Sequence, residues 1–252
     1  MEKKERIYTY NPSLIDLILF HALKDVKNGT YVDVGANEPL LESVTKLFYD
    51  RGWSGINIEP QKYYCDLLQA DRLRDVNLCI GAGNCESELV LYGDLQWATM
   101  EKDVAINDVQ TIVKVLPLTK IFDENLQPGI DIHFCKIDVE GFEKQVLEGL
   151  DLKKYRPWIF AIESVHPRTG KPTFAGWEHI LTDNGYVLAL SESCDRYYVD
   201  NINAPGLKDK FVSKTGLIEM YDVLNTGRIR ADHPWKGLKD FIVRVVMKIT
   251  DP

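Results

Sequence analysis

Long apolar runs are missing from this chain. The stretch Leu14-Ile15-Asp16-Leu17-Ile18-Leu19-Phe20 is short and broken by Asp16, too little to cross a bilayer. The charged start Met1-Glu2-Lys3-Lys4-Glu5-Arg6 is not followed directly by the apolar core of a signal peptide. A cytoplasmic protein without a transmembrane segment is therefore expected. Clustered positive charge is missing too: the formal net charge is −8 and no dense Lys/Arg run occurs, which argues against nucleic acid as a partner. The five cysteines (Cys65, Cys79, Cys85, Cys135 and Cys194) form no CxxC pair, so they read as reduced thiols with no zinc site. Neither a G-x-S-x-G elbow nor a GxxxxGK[ST] phosphate loop is present, which removes two common enzyme classes.

What is there suits one large α/β domain, or a domain with appendages, since 252 residues can bury a substantial core. Apolar spacing and turn residues predict a helix over 12–27, a strand at 30–34, a helix over 40–51, a strand at 55–59 and a helix over 61–72. A third strand follows at 75–80, then short β-type runs at 89–92 and 111–115 and a short helix at 118–126. A strand at 132–138, a helix at 142–149, a strand at 158–163 and a helix at 174–184 come next, and 186–190 with 196–199 suggest a terminal antiparallel pair. Strands alternating with helices mean a parallel sheet covered on both faces. We expect an N-terminal helical segment (1–29), a main domain (30–200) and a C-terminal extension (201–252). In the extension Leu238, Phe241, Ile242, Val245 and Ile249 share one helical stripe. Such a stripe packs on its own domain or on a sister subunit, or it adsorbs to a membrane surface.

The most informative residues are Tyr31-Val32-Asp33-Val34-Gly35-Ala36-Asn37, a strand running into a glycine turn. Gly35 lets the backbone lie close to a ligand. Glu59 ends the next apolar run, where nucleoside-cofactor folds accept hydrogen bonds from ribose hydroxyls. A pyrophosphate loop wants G-x-G-x-x-G, whereas Gly35 is followed by Ala36, Asn37, Glu38 and Pro39, and Glu38 would repel a diphosphate. S-adenosylmethionine fits better, having ribose hydroxyls and an ammonium but no phosphate. Asp138 and Glu140 follow the strand at 132–138, where ligands of open α/β sheets bind. Two carboxylates there can orient a hydroxyl, take its proton or hold a divalent ion; Glu143 instead reads as a helix cap. Glu163 and His166 lie on the same rim; His166 is either a general base or a structural, solvated histidine. His133, inside a strand, reads as a packed side chain. Trp97, between polar residues, either stacks on a sugar face or plugs the core.

Together these segments resemble the FkbM-type S-adenosylmethionine-dependent methyltransferases over about residues 28–200. The specific part is Lys136-Ile137-Asp138-Val139-Glu140-Gly141-Phe142-Glu143-Lys144-Gln145-Val146-Leu147-Glu148-Gly149, with Val32–Asn37, Asn57-Ile58-Glu59-Pro60 and Arg156-Pro157-Trp158 in support. Glu38-Pro39, Gly52-Trp53 and Gly176-Trp177-Glu178 look like a branch found with sugar and surface-polysaccharide enzymes. The resemblance implies a Rossmann-like class I methyltransferase fold: a mostly parallel seven-stranded sheet with helices on both faces and a terminal antiparallel hairpin. It implies methyl transfer to a hydroxyl oxygen of a small-molecule or glycan acceptor, by direct in-line displacement with Asp138 or His166 taking the proton. Asp33, Gly35 and Asn37 would border the methionine part of the cofactor, Glu59 its ribose, and Ile80-Gly81 its adenine, although Cys79-Ile80-Gly81-Ala82-Gly83 lacks the acid or amide often found there. Asp138, Glu140, Glu163 and His166 would line the acceptor pocket. Some related enzymes hold Mg2+ on acids at these strand ends, which would make Asp138 and Glu163 metal ligands. Two rivals remain: a nucleotide-dependent oxidoreductase, and a non-catalytic methyltransferase-fold scaffold. The C-terminal helix would serve as the contact of a homo-oligomer.

Overall fold

The computed structural model describes residues 4–93, 98–103 and 109–225. The C-terminal stripe and Trp97 lie outside the described residues. The chain begins β1 (Glu5–Thr9), α1 (Ile15–Ala22), β2 (Thr30–Val34), α2 (Lys46–Tyr49), β3 (Ser54–Ile58), α3 (Lys62–Asp71) and β4 (Val76–Leu78). It continues β5 (Gly81–Gly83), β6 (Ser87–Tyr92), β7 (Gln110–Pro117), α4 (Leu118–Asn125), β8 (Phe134–Ile137), α5 (Glu143–Glu148) and β9 (Ile159–Glu163). It ends α6 (Glu178–Thr182), β10 (Tyr186–Glu192), β11 (Asp195–Asp200), α7 (Lys214–Met220) and β12 (Tyr221–Asn225).

Seven strands form the main sheet in the order β10-β11-β9-β8-β2-β3-β4. The five from β9 to β4 run parallel, and the β10-β11 hairpin adds antiparallel pairs, so the sheet is mixed rather than purely parallel. Successive strand residues point to opposite faces. Tyr31, Phe134, Ile159, Ala161, Tyr197 and Val199 face one core, which α1, α2 and α7 cover through Leu17, Ile18, Phe48 and Leu217. Val32, Val34, Cys135, Ile137, Phe160 and Ile162 face a second core, covered by α4, α5 and α6 through Phe122, Val146 and Leu181. Apolar side chains this deep each contribute about 1.5–3 kcal/mol by leaving water. This double burial is why β2 and β8 read as near-continuous apolar runs. Strand order reverses between β2 and β8, and the two carboxyl ends there open a crevice.

Several expectations need correction. Only Lys46–Tyr49 of the segment 40–51 is helical. The preceding turn is held by tertiary bonds instead: Asn11 Nδ2 donates to Glu42 O (2.8 Å) and the buried Arg72 guanidinium donates to Pro39 O and Ser43 Oγ. Cys65 on α3 and Cys79 just after β4 form a disulfide, because α3 packs on β4 and brings their Cα atoms to 5.4 Å. The cysteine argument for a reducing, cytoplasmic setting therefore falls away. β5 leaves the main sheet to pair with β7, and with β6 these make a separate three-stranded sheet beside the crevice. The polar-looking start of the chain carries β1, which pairs in parallel with β12. Among the described residues no helix is long and apolar enough to cross a membrane.

Candidate active site

The turn after β2 is built by Gly35. Its φ is +75°, a region open to glycine, and a Cβ there would lie 1.9 Å from the Asp138 carbonyl oxygen. The turn leaving β2 and the one leaving β8 therefore touch at the switch point. Gly35 N and Ala36 N donate to Ile58 O (3.0 and 3.1 Å), which ties the turn to the end of β3. Asn37, with φ +52°, donates its N–H to Glu59 Oε2 (2.8 Å), and Gln61 N donates to Oε1 (2.8 Å). Glu59 thus holds both flanking turns and lines the cavity, and each of its oxygens keeps a second lone pair. Burial pushes its carboxyl up to about 7, against the pull of these backbone donors and of Lys136.

On β2, Asp33 is buried on the same face as the cavity; its Oδ2 accepts from Thr45 Oγ1 (3.1 Å). Lys136, its neighbour in register on β8, lies 3.3 Å from Asp33 Oδ1 and 3.6 Å from Asp138 Oδ2, and donates to Gly35 O (2.6 Å). Burial opposes the lysine's charge, but Asp33 and Asp138 outweigh burial and its pKa lies above the ordinary value. One ammonium therefore fixes the glycine turn and two acids. Sequence reasoning assigned Lys136 no role. The signal was its charge within the apolar Phe134-Cys135-Lys136-Ile137.

Beyond β8 the chain turns through Glu140 (φ +55°) and Gly141 (φ +105°). Glu143 Oε1 accepts from Val139 N (3.3 Å) and Gly141 N (3.0 Å), a capping role that sets this turn. Asp138, Glu140, Glu163 and Asp195 come from three neighbouring strands and all line a cavity of about 360 Å³ that also reaches Glu59, Asp33, Gly35, Asn37 and Gly81. Asn11, Pro12, Ser13 and Ile15 form one wall, and Leu91, Ala98, Thr99 and Met100 another. Burial, followed by Asp138 and Glu143, pushes Glu140 up to about 8. Burial, followed by Asp138 and Glu140, pushes Glu163 well above the usual carboxylate range. Burial with Asp138 pushes Asp195 up to about 7, offset by Lys136 and Lys214.

The structure thus brings together Asp33, Gly35, Asn37, Glu59, Gly81, Asp138, Glu140 and Glu163 around one space. It does not bring Ile80 or His166 there. Ile80 packs against the core under α4 and α5. His166 belongs to a surface turn in which its Nδ1 accepts from Arg168 N (3.2 Å) and its N–H donates to Lys171 O (2.8 Å). His133 is a packed ring between Trp53 and Trp158 and accepts from Thr30 N. The magnesium expectation is not supported: among the described residues no group of three or more His, Cys, Asp or Glu converges as metal ligands do. Asp138 and Glu163 come from adjacent strands, and among the described residues no third His, Cys, Asp or Glu joins them as a metal-ligating group. Asp195, which sequence reasoning missed, starts a strand after the Ser193-Cys194 turn and sits opposite Glu163.

One cavity thus joins the Gly35 turn, the buried Glu59 and an acid-rich far end. The sequence profile of the methyltransferase FkbM domain matches residues 33–188, well over half of the chain. Among solved structures, the chain is similar to a methyltransferase FkbM from Methylobacillus flagellatus KT, with 20% identity and a TM-score of 0.46, over 69% of this chain and 43% of that one. It is also similar to a SAM-dependent methyltransferase from Aquifex aeolicus, with 15% identity and a TM-score of 0.40, over 76% of this chain and 94% of that one. The chain spans less than half the length of the Methylobacillus protein. No curated protein matches it.

Proposed function

The chain belongs to the FkbM methyltransferase family, and from that premise we propose that it is an O-methyltransferase with a Rossmann-like class I fold, using S-adenosylmethionine to methylate a hydroxyl of a small sugar or glycan precursor. The observation that carries the reading is the single cavity joining Glu59 and the Gly35 turn to Asp138. The residues fit the cofactor. Glu59 is a buried acid whose two oxygens each keep a lone pair for hydroxyl donors, and the Asp33–Gly35–Asn37 turn offers carboxylate and backbone groups to an amino-acid moiety. When bound, the cofactor supplies an electrophilic methyl group on a sulfonium.

The chain's own part is alignment and proton removal. Asp138 is the base in this reading. It lines the cavity, its side chain is 36% accessible, and Lys136 sets its position. Its place at the switch point supports a position between the cofactor and acceptor ends. Glu140, whose raised pKa favours the neutral form, serves as a hydrogen-bond donor to an acceptor oxygen. The branch of the sequence resemblance that includes Gly176-Trp177-Glu178 favours a sugar-type acceptor.

The test is a transfer assay with isotopically labelled methyl donor and a panel of hydroxylated sugars. Asp138→Asn is expected to lower turnover by about 100-fold or more, the usual worth of a positioned base, while His166→Ala stays near wild type. Loss of turnover in His166→Ala with an active Asp138→Asn would reverse the assignment.

A further inference from the structure

Asp195 has no work inside the protein. It is 7% exposed and lines the cavity, yet among the described residues its carboxyl makes no hydrogen bond and no ion pair. Its register partner on β9 is Glu163, whose Oε2 is also buried without a hydrogen-bond partner. Like charges placed directly opposite on neighbouring strands destabilise a sheet, and a buried acid without a donor costs more. Asp138, beyond β8, extends the row. Lys214, at the start of α7, is turned to Ser193 Oγ (2.7 Å), and Lys136 is spent on Gly35 O, Asp33 and Asp138.

The cofactor does not account for this row. Its cationic end belongs at Asp33 and its ribose at Glu59, on β2 and β3. Asp195 lies three strands from β2, about 14 Å along the sheet at the usual strand spacing. A divalent metal does not account for it either, since hard cations need several oxygens converging at about 2 Å and no such group occurs among the described residues. An ammonium group asks less: two carboxylates at ordinary hydrogen-bond distance satisfy its donors.

We propose that the acceptor is a hydroxylated amine, and that its protonated nitrogen docks between Asp195 and Glu163 while its hydroxyl is presented at Asp138. The nitrogen is an anchor and the oxygen is the nucleophile. Neutral sugars then bind weakly and anionic acceptors, including sugar phosphates and uronates, are rejected. This rests on the methyltransferase reading above, so the test separates the two. Protein saturated with S-adenosylhomocysteine is titrated calorimetrically with glucosamine, galactosamine and ethanolamine, and with the matched controls glucose, galactose, ethylene glycol and glucuronate. At least one amine is expected to bind about tenfold or more tighter than its neutral match, a difference of about 1.4 kcal/mol. Asp195→Asn should abolish that preference and Asp195→Glu should retain part of it, with S-adenosylhomocysteine affinity as the control for folding. Amines that bind no better than their neutral matches, or not at all, overturn the proposal, as does a preference that survives in Asp195→Asn. Failure of S-adenosylhomocysteine itself to bind wild-type protein removes the methyltransferase reading and this proposal with it.

Discussion

Single residues at this site are placed by backbone demands that the sequence displays. Gly35 stands where φ is positive and where the Asp138 carbonyl leaves no room for a Cβ, so a lone glycine after an apolar strand was enough to find the turn. Glu59 was legible for the same reason, as the acid ending the next strand. Asp195 was not, because a charge at the start of a strand has no local pattern to mark it, and the charge of Lys136 within an apolar strand marked that residue without naming its partners. Asp195 yields a stability prediction with a definite sign. Its folded pKa is raised from 3.8 to about 7 by burial and Asp138, with Lys136 and Lys214 opposing; Glu163 faces it from β9. Because the folded state holds the proton more tightly, the cost is absent below about pH 4, develops as pH rises, and is complete above about pH 7. Asn cannot ionise. The stability of Asp195→Asn relative to wild type should therefore rise by about 2–4 kcal/mol between pH 4 and pH 8, read by urea unfolding at each pH. A difference that is flat with pH would mean the carboxyl ionises freely in the folded protein.

At the level of elements, sequence reasoning located what local periodicity controls. β2, β3, β8, β9, the closing hairpin and α3 to α5 appear within a few residues of their expected bounds. Tertiary bonds explain the failures. The spacing of Leu40, Val44, Leu47 and Phe48 reads as a helix, but Arg72 and Asn11 capture the backbone of 39–43 and Glu42 adopts φ +61°. β1 and β12 were missed because two edge strands more than 200 residues apart leave no short-range signal. The 39–43 turn supplies Glu42 to the cavity wall, so Arg72 links stability to the site. Arg72→Leu leaves Pro39 O and Ser43 Oγ without their donor and should cost about 2–4 kcal/mol in denaturant unfolding, with weakened cofactor binding. A loss under about 1 kcal/mol would mean that the Asn11–Glu42 bond holds the turn alone.

Across the whole molecule, two apolar cores clamp a mixed sheet whose strand order reverses at β2 and β8, and the three-stranded sheet and the N-terminal turn wall the crevice so formed. The α/β class was legible from alternating strands and helices, but the second sheet was not, because β5 is a Gly-Ala-Gly segment without β-type side chains. The charge of the cavity follows the same geography: a partnered cluster at Asp33, Lys136 and Glu59, then unpartnered acid toward β11. The central claim is that the partnered end holds an adenosyl cofactor. Calorimetric titration of cofactor-stripped protein with S-adenosylhomocysteine tests it, comparing wild type with Glu59→Ala. The account predicts micromolar binding to wild type, about −8 kcal/mol, weakened at least about tenfold in the variant, because Glu59 holds the Asn37 and Gln61 turns and, in the proposed reading, meets the ribose. Wild-type protein that takes up no S-adenosylhomocysteine, or a Glu59→Ala variant that binds it equally well, would contradict the account.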